Sequence, residues 1–340
     1  MRVCVIGAGA IGGLMAAKLA LAGAKVSVID RGANLAAIRS NGLKLRWQDG
    51  TILSARVRAF ESAQDAGEQD VIILGVKCYD LEQASQHVGP LLGAATAVIT
   101  VQNGIPWWYF QRHGGEFDGR ALRTVDPDGV LARAIAADRI IGCVAYPAAS
   151  MVAPGVIEHI EGDRFPIGEL DGQETERVAR IGEAFTQAGL KSRVIADIRS
   201  EIWLKAWGIL TFNPISALSH ATMEEICQLP ETRRLAASMM AEAQTIAEKL
   251  GITFRHTIEK RLEGSEKVGA HKTSMLQDVE AGRALETEAL VGSILELGRL
   301  TETDTPAIAT VYSILRLLEK VMRASGGVLK IDNKAGSRAA

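Results

Sequence analysis

The apolar positions come first as short unbroken runs and later as helical stripes, and that change of rhythm divides the chain. Val3–Ile6 is an apolar run of strand length. An Ala/Leu-rich segment of helical character follows, then a second strand, Lys25–Ile29, after the turn Ala22-Gly23-Ala24. An amphipathic helix spans Leu35–Ser40, and Leu43–Arg46 and Thr51–Val57 form a β-ribbon around Asp49-Gly50. Asp70–Val76 and Ala97–Val101 are almost wholly apolar, as parallel strands covered on both faces should be, with a helix at Asp80–Val88 between them. Ile140–Tyr146, Gly155–Ile160 and Arg164–Glu169 resume strand character and are expected to complete the sheet as antiparallel strands. Glu174–Ala188 reads as an amphipathic helix and Lys191–Ile195 as a final strand. From Asp197 onward the period is helical almost throughout, including Ala289–Gly298 and Pro306–Met322. The expected architecture is α/β: a domain built on a largely parallel sheet over 1–196, with an insertion at about 107–138, and an all-α domain over 197–325. A loose tail is expected over 326–340.

The first strand ends in Gly7-Ala8-Gly9-Ala10-Ile11-Gly12 and passes straight into a helix. That is the dinucleotide fingerprint in its proper context. Gly7 permits a tight turn, Gly9 lets backbone approach a pyrophosphate, and Gly12 lets the helix pack closely on its strand. The free N–H groups and positive dipole end of the helix then face the phosphates. The second strand delivers Asp30-Arg31, about where an acid reading the ribose is expected.

Composition narrows the class. With 47% hydrophobic and 23% charged residues the chain is ordinary for a globular enzyme, and 340 residues suffice for two cores. A net charge of -2 leaves no electrostatic footprint for nucleic acid or an acidic membrane. No apolar run is long enough to span a bilayer, and no signal peptide is expected. Cys4, Cys78, Cys143 and Cys227 form no C-x-x-C pair and read as reduced thiols of a cytoplasmic protein. The six histidines show no metal-ligand spacing, so no metal site is expected.

Lys77 and Asn103 both stand at strand ends beside the nucleotide crevice, where the plain alternatives are a surface lysine and an Asn-Gly turn. Pro106-Trp107-Trp108-Tyr109-Phe110 either roofs a substrate pocket or forms a satellite core under the insertion. Lys205 sits in an apolar helix between Trp203 and Trp207; it is a desolvated proton donor or a snorkelling lysine. Asn213 follows two turns later, and Pro214 is expected to kink or end the helix there. Ser274 with Gln277 has a capping-box pattern, Gly282 marks that helix's end, and Glu286 falls near the first turn of the next. The bland readings are a cap for Ser274 and a dipole-favoured surface acid for Glu286. Substrate is expected to meet the cofactor in the cleft between the domains.

Together, these pieces resemble the ketopantoate reductase (2-dehydropantoate 2-reductase) family over almost the whole chain. The matching segments are Val5–Gly12, Val76-Lys77, Gln102-Asn103-Gly104, Ala153-Pro154-Gly155-Val156-Ile157 with His159, Lys205 with Asn213-Pro214, and Thr273–Asp278 leading to Glu286. The resemblance implies a Rossmann domain joined to a helical domain similar to the C-terminal domain of 6-phosphogluconate dehydrogenase. It implies NADPH-dependent reduction of a 2-oxo acid to a D-2-hydroxy acid, ketopantoate to pantoate in the first instance. By position, Lys205 and Glu286 are the catalytic residues: Lys205 the general acid, Glu286 the acid that meets the cofactor ribose. Gly7, Ala8, Gly9, Ala10, Ile11, Gly12, Asp30, Arg31, Lys77, Asn103, Ala149 and Glu286 fall at cofactor positions, and Asn103, Lys205, Ile209, Asn213 and Ser274 at substrate positions. A homodimer is a family-level expectation.

The chain also departs from the family pattern. Ile209, Met223 and His271 stand where family members carry asparagines that read ketopantoate's polar tail. A more apolar acyl pocket follows, so branched or aromatic 2-oxo acids are the alternative substrates. Arg31 suits the 2′-phosphate of NADP(H), whereas Asp30 favours the ribose diol of NAD(H). A non-catalytic dinucleotide sensor is the reading from a different class, although a pure sensor would need none of Lys205, Asn213, Ser274 and Glu286.

Overall fold

The computed structural model describes residues 1–327, in two compact units: Met1–Lys205 and the chain from Ala206 onward. In the first unit a seven-stranded sheet runs β11-β8-β7-β6-β1-β2-β5. Its strands are β1 (Arg2–Ile6), β2 (Lys25–Ile29), β5 (Arg58–Phe60), β6 (Gln69–Leu74), β7 (Leu92–Thr100), β8 (Ile140–Cys143) and β11 (Ile167–Glu169). All neighbours are parallel except β11, which is antiparallel to β8. The chain moves outward from β1 in both directions, so the strand order reverses at β1, the place where open α/β sheets bind ligands.

A second, four-stranded sheet runs β4-β3-β10-β9, from β3 (Leu43–Arg46), β4 (Ile52–Ala55), β9 (Ala148–Ala153) and β10 (Val156–Glu161). This corrects the expectation for Gly155–Ile160. That segment leaves the main sheet and pairs parallel with β3 and antiparallel with β9, and β9 was not foreseen as a strand. Nor is Ile140–Tyr146 antiparallel: β8 runs parallel to β7. Lys191–Ile195 makes only isolated bridges, through Lys191 and Val194.

The helix α1 (Ala10–Leu21) explains the second sheet. It packs on β1 and β2 and also on β3, β4, β9 and β10, and Gly12–Leu19 are all buried. Covered on both sides, it has no polar face to show, which is why its sequence is apolar all round. Gly13 makes the close approach possible, since a Cβ there would lie 2.7 Å from the buried Ile157 side chain. The one charge on this helix, Lys18, donates to the Gly189 carbonyl at 2.9 Å, and burial lowers its pKa. The unit's other helices are α2 (Gly32–Asn41), the short α3 (Leu81–Ser85) and α4 (Val130–Ala134), and α5 (Glu176–Gln187), capped by Thr175.

Trp107, Trp108, Tyr109 and Phe110 are all buried in this unit. Trp108 Nε1 donates to Thr100 Oγ1 at 2.9 Å, and the Tyr109 hydroxyl accepts from Trp203 Nε1 at 2.8 Å. Arg199 donates to the carbonyls of Tyr109, Gln111 and Leu170. The aromatic run is thus a satellite core.

From Ile198 the chain is helical: α6 (Ile198–Ser219), α7 (Met223–Gln228), α8 (Pro230–Lys249), α9 (Ile258–Glu266), α10 (Ser274–Glu280), α11 (Ser293–Leu300) and α12 (Pro306–Ala324). Of the two outcomes expected at Pro214, a kink or an end, the end does not occur: α6 carries Pro214 inside and continues to Ser219. Phe212, Asn213, Ile215 and Ala217 are buried, and that packing overrides the local preference for a break. The tail expected over 326–340 lies, beyond Gly327, outside the described residues. Among the described residues no helix is long and apolar enough to cross a membrane.

Candidate active site

At the carboxyl end of β1 three glycines interlock. Gly7 adopts a φ of +88° and donates its N–H to the Ile29 carbonyl at 2.9 Å. A Cβ on Gly12 would stand 2.1 Å from the Gly7 oxygen, and one on Gly75 2.5 Å from the same atom. Gly75, just past β6, is the partner that sequence reasoning missed; its signal was a glycine ending an otherwise branched apolar run. Gly9 behaves differently. It precedes the first turn of α1, and a Cβ on it would meet nothing within 4 Å. The first-turn N–H groups of a helix, here those of Ala10, Ile11 and Gly12, have no intrahelical acceptor, and the Cβ position of the preceding Gly9 is open. This chemistry fits a dinucleotide pyrophosphate, with Gly7 and Gly12 shaping the loop and Gly9 leaving room.

The acid after β2 is more engaged than expected. Asp30 Oδ2 accepts from the Ala8 N–H at 2.9 Å and from Asn34 Nδ2 at 2.8 Å, and its Oδ1 accepts from the Arg31 N–H at 2.7 Å. Arg31 is exposed, with Nη1 on Gln83 Oε1 at 2.8 Å and Nη2 3.4 Å from Asp80 Oδ1. Lys77 is half-buried and immediately precedes the short 3-10 turn Cys78–Asp80, which carries Asp80. Ala149 sits on β9, opposite His159 in the second sheet.

Lys205, half-buried on α6, meets the strand ends directly. Its Nζ donates to Asn103 Oδ1 at 2.6 Å and to the Ala145 carbonyl, with the Tyr146 ring 5.9 Å away. Asn103 follows β7 and Ala145 follows β8, so two strand ends of the main sheet fix the position of the ammonium. The snorkelling alternative is thereby overturned. Ala145 was invisible in the sequence, because a backbone carbonyl carries no residue signature.

In the helical unit Asn213, buried on α6, donates from Nδ2 to Ser274 Oγ at 3.3 Å. Ser274 is not the cap. Thr273 is, its hydroxyl accepting from the Leu276 N–H, and Ser274 is the exposed first residue of α10. The capping pattern was therefore read one residue late. Gly282, at φ +64°, follows the end of α10 as expected. Glu286 is not a surface acid: it is buried just ahead of a π-helical turn, Glu288–Gly292. Such turns recur at functional sites. Ile209 lies one turn beyond Lys205 on α6, half-buried, and the Met223 N–H donates to the His271 carbonyl at 3.1 Å. Two of the three positions that depart from the family pattern are therefore directly joined.

A doubly wound sheet with an open glycine loop at its switch point and a lysine held by its strand ends marks a nicotinamide-dependent oxidoreductase. The family models agree in detail. Residues 3–172 match "Ketopantoate reductase PanE/ApbA" and residues 197–319 match its C-terminal counterpart. A 2-dehydropantoate 2-reductase of Mesorhizobium japonicum is 49% identical over 319 residues, spanning 94% of this chain and 98% of the relative. The crystal structure of a putative ketopantoate reductase from Ralstonia solanacearum superposes with a TM-score of 0.91 at 39% identity, covering 95% and 98% of the two chains. A D-mandelate dehydrogenase solved with NADH and anilino(oxo)acetate shares the fold, with a TM-score of 0.80 at 19% identity over 95% and 100% of the chains. The chain belongs to the ketopantoate reductase family.

Proposed function

We propose that this protein reduces 2-dehydropantoate to D-pantoate with NADPH, and that it works as a cytoplasmic homodimer. The observation that carries the chemistry is the Lys205 ammonium, bonded to Asn103 and the Ala145 carbonyl. The nicotinamide, when bound, supplies hydride to the carbonyl carbon of the 2-oxo acid. Lys205 gives its proton to the carbonyl oxygen, and its charge stabilises the alkoxide as it develops. Two fixed acceptors hold the ammonium in one place, so little reorganisation is required at the moment of transfer. Asn213 orients the Ser274 hydroxyl, which binds the substrate carboxylate. Glu286 meets the cofactor ribose. Arg31 and Lys77 supply the cationic contacts that favour a 2′-phosphate, and the Gly7–Gly12 loop receives the pyrophosphate.

A second reading within the same chemistry rests on Ile209 and on the Met223–His271 pair, which replace the polar groups expected around a hydroxylated acyl tail. On that reading the preferred substrate is a branched or aromatic 2-oxo acid. Initial rates of NADPH and NADH oxidation against ketopantoate, 2-oxoisovalerate and phenylglyoxylate decide between the two. A clear lead for ketopantoate is expected. A lead for the apolar acids transfers the assignment to the second reading, and cofactor binding without turnover on any of them leaves a dinucleotide sensor.

A further inference from the structure

We infer that Asn34 sets the cofactor preference of this enzyme by occupying the Asp30 carboxylate, an inference that rests on the dinucleotide reading of the Gly7–Gly12 loop. Asn34 lies in the first turn of α2 and its carboxamide is committed at both ends. Nδ2 donates to Asp30 Oδ2 at 2.8 Å and to the Ala8 carbonyl at 3.2 Å, and Oδ1 accepts from the Gly155 N–H at 2.7 Å. The three partners fix which end is oxygen, since a carboxylate and a carbonyl only accept and an N–H only donates.

The Gly155 end is anchored independently. Gly155 has a φ of +72° in the turn between β9 and β10, its carbonyl accepts from the Lys44 N–H at 2.8 Å, and a Cβ on it would lie 3.3 Å from Ala37 of α2. The second sheet therefore holds Asn34, and Asn34 holds Asp30 against the phosphate loop.

The consequence falls on the acid. A carboxylate has about four acceptor directions. Three of those on Asp30 are filled, by Ala8, Arg31 and Asn34. Its charge is further offset by the N-terminus of α2, which begins two residues later. An acid so occupied has little left to offer a ribose diol, and it repels a 2′-phosphate less than a free carboxylate would. The neighbouring Arg31 guanidinium can then recruit that phosphate, although Asp30 precedes it. The apparent conflict between Asp30 and Arg31 is resolved by a third residue, Asn34, about one helical turn further along the chain.

The test is the ratio of the NADH to NADPH dissociation constants, read by nicotinamide fluorescence on the full chain without substrate. Asn34→Ala is expected to lower that ratio about tenfold, the scale of one hydrogen bond to a charged group. A double-mutant cycle with Asp30→Asn separates this role from a merely structural one. If Asn34 acts through the Asp30 charge, its effect on the ratio vanishes in the Asp30→Asn background. Equal weakening of both cofactors by Asn34→Ala, or a ratio change that persists in Asp30→Asn, overturns the inference. Asn34→Asp keeps the acceptor for Gly155 but loses the donors, and must shift the ratio in the same direction if the alanine variant does not fold. Failure of the wild-type chain to bind either dinucleotide refutes the cofactor reading itself, a separate outcome.

Discussion

The Gly7–Gly12 loop and the polar side chains at Lys205, Asn213, Ser274 and Glu286 are built on different principles. In the loop the work is done by backbone: Gly7, Gly12 and Gly75 leave no room for a Cβ, and Gly9 leaves room for a ligand. Between Lys205 and Glu286 it is done by side chains, an ammonium on two oxygens, an amide on a hydroxyl and a buried carboxylate. A backbone site is recognised by what is absent from the sequence, and it tolerates no substitution at its contacts. A side-chain site keeps its fold when a group is removed and loses chemistry instead.

Lys205→Ala puts the largest expected effect on the side-chain half. Removing a positioned proton donor costs roughly 10²–10⁴ in rate. The expected outcome is a fall of about a thousandfold in kcat for 2-oxo acid reduction, with NADPH affinity nearly unchanged, measured by stopped-flow and by fluorescence titration. A loss of cofactor binding equal to the loss of turnover would show that Lys205 supports the nucleotide site rather than the proton transfer.

Next in size is the contrast between two glycines of the loop. Gly12→Ala places a methyl 2.1 Å from the Gly7 oxygen, backbone against backbone, with no side chain able to yield. Overpacking of that kind costs about 1–3 kcal/mol or more, so thermal melts should show a marked drop in Tm. Gly9→Ala meets nothing within 4 Å and should melt like the wild type. On the proposed cofactor reading its added Cβ lies where the pyrophosphate would approach, so its NADPH affinity should fall. Equal Tm losses for both variants, or full cofactor affinity in Gly9→Ala, would break the assignment of the loop.

The same contrast explains what could be read from the sequence. Gly7, Gly9 and Gly12 were legible because only glycine satisfies those backbone demands, and the apolar runs of β1, β6 and β7 were legible because parallel strands are buried on both faces. The second sheet was not. Val156–Glu161 looks like any strand, and its pairing with Leu43–Arg46 depends on residues more than a hundred positions away. The available clue was α1, too apolar for a helix with one solvent face. Lys205 stood out as a charge between tryptophans, yet its acceptor at Ala145 did not, since every residue has a carbonyl. At Pro214 the local rule left a kink and a helix end open, and the helix continues because tertiary packing holds the residues around it.

The smallest effect gives the sharpest comparison, because it separates two adjacent residues. Thr273 caps α10 and is buried, whereas Ser274 is exposed and receives the Asn213 amide. Loss of a threonine cap costs about 1 kcal/mol, so Thr273→Ala should lower stability by that amount in urea titration. Substrate KM should change less for that variant than for Ser274→Ala. Ser274→Ala should leave the unfolding midpoint in place, because its hydroxyl caps nothing, and should raise KM for the 2-oxo acid about tenfold, the scale of a lost hydrogen bond to a charged group. The pair also tests the capping-box pattern directly. If Ser274→Ala proves the destabilising variant and leaves KM alone, the serine is a helix cap after all, and the carboxylate must be bound elsewhere.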